Sequence, residues 1–282
     1  MEWSYSAFSQ EDIQQFTAPM KVGLLACVSP QGEPHISLIS SLMAANPNQV
    51  IWGQFTEGLC KQYVQENPKT GFMIMSLDKD VWMGQAAWTH TQTSGVDYDR
   101  YNNQPMFRYN AYFGIHTVHY MDLVGQNGKC ALPMNAIIAA AVKTLLAKIS
   151  LSKPPKERVM NPWTQKFLGK IDGLKFLAYI DPQGYPVVFP IIQAQSANHS
   201  QILFSASVFP EYLHAIPAGA RVAIYGMALT METVLTRGTF RGLERRMGVL
   251  SGLVDVDWVY NSMPPVAGQI YPPLPLETVK EF

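Results

Sequence analysis

The sequence predicts a mostly β chain with short helices, an α+β fold built as two tandem copies of one small antiparallel barrel. Three observations carry this. Leu24-Leu-Ala-Cys-Val-Ser-Pro-Gln-Gly-Glu-Pro34 reads against Phe176-Leu-Ala-Tyr-Ile-Asp-Pro-Gln-Gly-Tyr-Pro186 at an offset of 152, with six of eleven positions identical. The same offset pairs Gln49-Val-Ile-Trp52 with Gln201-Ile-Leu-Phe204, and Lys69 with Arg221, without a gap. Short apolar and β-branched runs separated by Pro, Gly and Asn turns recur in both copies in one order, as small closed barrels require.

The elements follow in turn. Ser9 caps a helix over residues 10–16, with Asp12 three positions on as in a capping box, and residues 162–168 are its counterpart. A strand covers 22–28, Pro30-Gln31-Gly32 turns the chain, and a second strand runs over 35–44. Asn46-Pro47-Asn48 leads to a third strand at 49–55, then a helix over 58–66 that Asn67-Pro68 closes. Strands at 72–77 and 82–91 follow. Copy one then inserts an aromatic, Asn-rich stretch at 98–113, a strand near 115–124, a helix over 134–149 and the Pro154-Pro155 linker. Copy two has instead a strand over 231–240, a charged bend at Arg241–Arg246 and a strand near 249–260. The expected boundaries are 1–130 for the first barrel, 131–158 for helix and linker, and 159–282 for a degenerate second barrel.

Lys plus Arg and Asp plus Glu number 21 each, which gives no electrostatic case for nucleic acid or an anionic membrane. Cys27, Cys60 and Cys130 are odd in number and lack metal-ligand spacing, so neither a zinc site nor a disulfide is expected, and a reducing cytoplasm is. No basic segment followed by an apolar run opens the chain, so no signal peptide is expected. The apolar stretch 131–149 carries Lys143 and Lys148 and reads as a buried amphipathic helix, not a membrane span.

The set Pro30-Gln-Gly-Glu-Pro34, Val50-Ile-Trp-Gly-Gln-Phe-Thr56, Leu59-Cys-Lys-Gln-Tyr-Val-Gln-Glu-Asn-Pro68 and Trp82-Met-Gly84 resembles the pyridoxamine 5'-phosphate oxidase-like FMN-binding split barrels. It covers roughly residues 8–125 and, more faintly, 160–262. The resemblance implies tandem split β-barrels, with FMN as cofactor and its phosphate held by strands two and three and the start of the next helix. Carried over residue by residue, the cofactor-binding candidates are Ser37, Ser40 and Ser41 on strand two, Gln54 and Thr56 on strand three, Gly58, Leu59, Cys60 and Lys61 at the helix start, and Trp82. The oxidase's strand-two cations fall here on Ser37 and near Leu42, and its Arg-Lys pair becomes Leu59-Cys60. These departures weigh against vitamin B6 oxidation and leave flavin binding, because helix N–H groups, hydroxyls and one lysine suit a phosphate.

Each candidate also has a plainer reading. Thr56 can simply cap a surface helix, and the three serines can be barrel-wall residues bonded to backbone. The 98–113 stretch suits either a lid over a flat ring, with Arg108 near an anionic substrate, or a contact between two copies of the chain. His116 and His119 lie three apart on a strand and face opposite sides, so they do not share a metal. Arg237, Arg241, Arg245 and Arg246 read as an anion site or a solvated bend. The expected function is an FMN-binding oxidoreductase acting on a small molecule, as a homodimer. The alternative is a non-catalytic flavin-binding or structural dimer module. At the offset of 152, Pro210, Glu211 and Leu213 replace Gly58, Leu59 and Lys61, so copy two is expected to hold no FMN phosphate.

Overall fold

The computed structural model describes residues 3–104, 114–151, 156–228, 230, 232–262 and 267–275. It contains two antiparallel sheets of eight strands each, and the two have the same strand order. The first comprises β1 (Val22–Val28), β2 (Pro34–Leu38), β3 (Met43–Asn46), β4 (Gln49–Gln54), β5 (Lys69–Met75), β6 (Asp80–Gln92), β7 (Thr117–Gln126) and β8 (Cys130–Ala131). Its order is β2-β1-β5-β6-β7-β4-β3, with β8 beside β6. The second comprises β9 (Leu174–Ile180), β10 (Pro186–Pro190), β11 (Gln195–Ser196), β12 (Gln201–Ser205), β13 (Arg221–Met227), β14 (Thr233–Arg246), β15 (Val249–Asn261) and β16 (Gly268–Tyr271). Its order is β10-β9-β13-β14-β15-β12-β11, with β16 beside β15. Six helices accompany them among the described residues: α1 (Gln10–Phe16), α2 (Leu59–Glu66), α3 (Val96–Asn102), α4 (Met134–Ile149), α5 (Pro162–Leu168) and α6 (Pro210–His214). The fold is thus a tandem pair of split β-barrels.

The repeat extends to individual hydrogen bonds. Ile39 N–H donates to the Gly23 carbonyl at 2.7 Å, and Ile191 N–H to that of Lys175 at 2.8 Å, each 152 residues on. Ser41 Oγ donates to the Gly53 carbonyl at 2.8 Å, and Gln193 Nε2 to that of Ser205 at 2.9 Å. Gln49 reaches Asp122 across β4 and β7, as Gln201 reaches Asp255 across β12 and β15. Different side chains therefore close the same bend.

The chain divides into two compact units: Met1–Gly32, Ile36–Leu132 and Ile180–Val188 form one, and Glu33–His35, Pro133–Tyr179 and Phe189–Phe282 the other. In the first, Phe16, Leu25, Trp52, Phe72, Trp82 and Met121 form the buried core. The α1 capping box is present, and Asp12 does double duty: Oδ2 accepts from Ser9 N–H and Oδ1 from the Trp82 indole at 2.7 Å. In the second unit α4 lies on β12 and β15, with Ala147 packed against Leu203 and Leu253.

Three expectations need correction. The strand expected over 35–44 is two strands, β2 and β3, because Ile39 N–H turns to Gly23 and Leu42 N–H back to Ile39, bending the chain between them. Arg241–Arg246 is not a bend but the end of β14, and the turn falls at Met247-Gly248, both at positive φ (48° and 78°) as a two-residue hairpin loop of the primed type demands. Cys27 and Cys60 are joined by a disulfide, with Cα atoms 5.9 Å apart, where no disulfide was expected. That bond removes the ground on which a reducing compartment was expected. The helix over 134–149 is present with the expected bounds, but only one of its faces is buried. Among the described residues no helix is long and apolar enough to cross a membrane.

Candidate functional site

Six of the carried-over residues, Gln54, Thr56, Gly58, Leu59, Cys60 and Lys61, lie together where β4 ends and α2 begins. Gln54 is the last residue of β4, and Gly58 is the N-cap of α2. Gly58 offers no side chain, and the first turn of α2 has neither a side-chain cap nor an acidic residue. Ser9 caps α1 and Asn161 caps α5, whereas α3, α4 and α6, like α2, have no side-chain cap; what sets α2 apart is Lys61 beside its start. An uncapped helix start leaves N–H donors and the positive end of the helix dipole for an anion. Lys61, one turn in, is buried to 8% exposure. Its ammonium donates to the Thr56 carbonyl and, at 3.1 Å, to Thr56 Oγ1. Burial pulls this lysine down to about 8, against the opposing pull of Glu57. Gln54 Nε2 donates to Glu57 Oε1 at 3.1 Å, fixing the carboxylate beside the lysine. One cation, one hydroxyl and uncapped amides fit a phosphate monoester, with Glu57 offsetting part of the charge.

Cys60 lies in this first turn and is tied to Cys27 on β1, so the helix start is covalently anchored to the sheet. Leu59, half-buried, contributes backbone only. Ser41 is sealed into the wall: its Oγ donates to Gly53 O and accepts from Gly53 N–H at 3.1 Å, while its carbonyl accepts from the buried Tyr101 hydroxyl at 2.8 Å. Ser37 on β2 and Ser40 in the following turn are half-buried. Trp82 stands apart, fully buried against α1 through Asp12 and the ring of Phe16.

Sequence reasoning missed the cluster behind Gln54. Trp52 and His119 face one another across β4 and β7 and stack at 3.6 Å, nearly parallel at 8°. The Trp88 indole N–H can only donate, and it reaches His119 Nδ1 at 3.1 Å. His119 Nε2 therefore carries the proton and donates to Gln54 Oε1 at 2.7 Å. Burial, with the charges of Lys61 and His116 adding to it, pushes His119 down to about 3. It is a neutral positioning group for Gln54, with both nitrogens engaged. His116 is exposed and lies just before β7, so, contrary to expectation, it does not share a strand with His119. The signal for this cluster was the strand register, not any motif.

In copy two the equivalent junction is apolar. Val208 and Leu213 stand where Thr56 and Lys61 do and are buried, Phe209 takes a left-handed φ of 49°, and Pro210 opens a five-residue helix. The arginines are engaged: Arg237 pairs with Glu33 at 3.1 Å, meets His35 Nδ1 at 2.9 Å and lies 4.3 Å over the Trp258 ring, Arg241 pairs with Asp255, and Arg246 pairs with Glu244. From the 98–113 stretch, residues 98–102 belong to α3; Arg108 and the rest of 105–113 lie outside the described residues. No group of three metal-ligating side chains occurs among the described residues.

No family model matches the sequence, and no curated protein matches it. Several solved structures are similar. An FMN-binding protein from Syntrophomonas wolfei subsp. wolfei is 17% identical, with a TM-score of 0.37 over 44% of this chain and 86% of its own. The HupZ protein of Group A Streptococcus is 16% identical, with a TM-score of 0.35 over 42% of this chain and 91% of its own. An F420 reductase is 12% identical, with a TM-score of 0.35 over 43% of this chain and 98% of its own. The chain is similar to FMN-binding split-barrel proteins.

Proposed function

We propose that the chain binds FMN, one molecule per chain, at the β4–α2 junction of copy one, and serves as an oxidoreductase on a small molecule. The observation that carries this is the uncapped start of α2, with Lys61 and Thr56 beside it. When bound, the flavin supplies the hydride or electron transfer, and the protein supplies binding and orientation. In this reading Gly58, Leu59 and Cys60 offer backbone N–H groups to the phosphate, Lys61 offers its charge, and Gln54 is held in place by His119. The engaged state of His119 favours a second reading, a flavin holder without turnover, because both of its ring nitrogens are already hydrogen-bonded.

Titration with FMN tests both. Lys61 is charged below about 8 and neutral above it, while a phosphate monoester stays near doubly charged through this range. FMN affinity should therefore fall as pH rises through 8, by up to about tenfold per unit, whereas riboflavin, which lacks the phosphate, should show no such fall. Lys61→Ala with Thr56→Val should weaken FMN by about 1–3 kcal/mol and abolish the pH dependence. Two FMN per chain, or an unchanged affinity in the double variant, would place the site elsewhere. Bleaching of the bound flavin by NADH or NADPH with multiple turnovers supports the enzyme, and bound flavin that never turns over supports the holder.

A further inference from the structure

The helix α4 is built inside out. Its sheet-facing side is made mainly of small residues, with Ala140, Thr144 and Ala147 fully buried over β12 and β15. Its large apolar side chains point away: Ile138 is 60% exposed, Val142 55%, Leu145 40%, Leu146 49% and Ile149 73%. A surface helix ordinarily shows polar residues to water, and one that is apolar all round is ordinarily covered. Residues 138, 142, 145 and 149 follow steps of four, three and four, the spacing of a two-helix seam. Val142 and Ile149 take the positions where β-branched residues favour pairs over higher assemblies.

We propose that this face is the contact between two copies of the chain, α4 against α4 across a two-fold axis. The area supports it: the five side chains expose on the order of 500 Å² per chain, so that pairing removes about 1,000 Å², the threshold for a specific interface. A self-complementary stripe is what an isologous two-fold contact requires. The charges argue against a lipid surface as occupant. The chain is neutral overall, and α4 carries only Lys143 and Lys148, with no aromatic residue to sit among headgroups. Of the stretch 98–113 where a dimer contact was expected, Tyr101 is buried within its own unit and residues 105–113 lie outside the described residues.

Sedimentation velocity on the full chain at micromolar concentration should show a dimer. Val142→Glu with Leu145→Glu should convert it to a monomer with an unchanged far-UV spectrum, because the sheet-facing side of α4 is untouched. If that variant fails to fold, Ile149→Glu alone, at the most exposed position, should still raise the dissociation constant at least tenfold. A wild-type monomer overturns the proposal, as does a dimer that survives both variants. A wild-type monomer that floats with phosphatidylserine vesicles, and loses this with the glutamates, overturns it in favour of a membrane surface.

Discussion

Between pH 6.5 and about 3 the protein is expected to lose about 3–5 kcal/mol of folding stability to one side chain, His119. The buried imidazole titrates at about 3 in the fold, against an ordinary 6.5. The sign follows from which state takes the proton. Below 6.5 the unfolded chain binds a proton that the folded chain refuses, so acid favours unfolding, and the loss accumulates until the folded group also titrates near 3. Each unit of this interval is worth about 1.4 kcal/mol. His35, also buried and held low by burial and by Arg237, adds to the same limb. Chemical denaturation at a series of pH values, for wild type and His119→Gln, measures the share of His119 alone. Glutamine keeps a polar group near Gln54 and does not titrate. Parallel acid limbs for the two proteins would show that His119 is not held neutral by the fold.

Breaking the Cys27–Cys60 disulfide should cost about 3–4 kcal/mol, the chain-entropy value for closing a loop of this length, here a sequence separation of 33. Its location gives the loss a functional edge. The bond ties the first turn of α2 to β1, so reduction should loosen the N–H groups of the proposed phosphate site as well as lower the melting temperature. Thiol titration of the protein denatured without reductant should find one reactive thiol per chain, that of Cys130. Three thiols would show that the bond does not form. Cys27→Ala with Cys60→Ala should match reduced wild type in stability and, if the anchoring matters, in FMN affinity.

Where turns are spelled by Pro, Gly or Asn, the sequence was sufficient. The bounds of α1, β1, α4 and α5 match the reading residue for residue: Ser9 caps α1, the repeat places α5 as its counterpart, and Pro30-Gln31-Gly32 leaves one place for the hairpin. The break between β2 and β3 was not legible. Ile39 to Leu42 contains no Gly, Pro or Asn, and the bend is imposed by bonds to Gly23 and Gly53, partners remote in sequence. The hairpin at Met247-Gly248 was hidden because methionine rarely takes a positive φ, and the four charged residues among Arg241–Arg246 looked like a bend. At the proposed site, the residues of the β4–α2 junction are contiguous in sequence and therefore visible together. His119 and Trp88 were not, because their link to Gln54 exists only through the β4–β7 and β6–β7 register.

The matched bend in the two copies is plugged from opposite ends of the repeat. In copy one α3, which follows β6 in the chain, sends Tyr101 to the Ser41 carbonyl. In copy two α4, which precedes the first strand of that copy, sends Thr144 Oγ1 to accept from Ser205 N–H at 2.9 Å. The plugs share no ancestry in the repeat, only a destination. The two copies thus close the same bend with helices from different places in the repeat, while the strand order stays the same. The stoppers differ, and the staves stay the same.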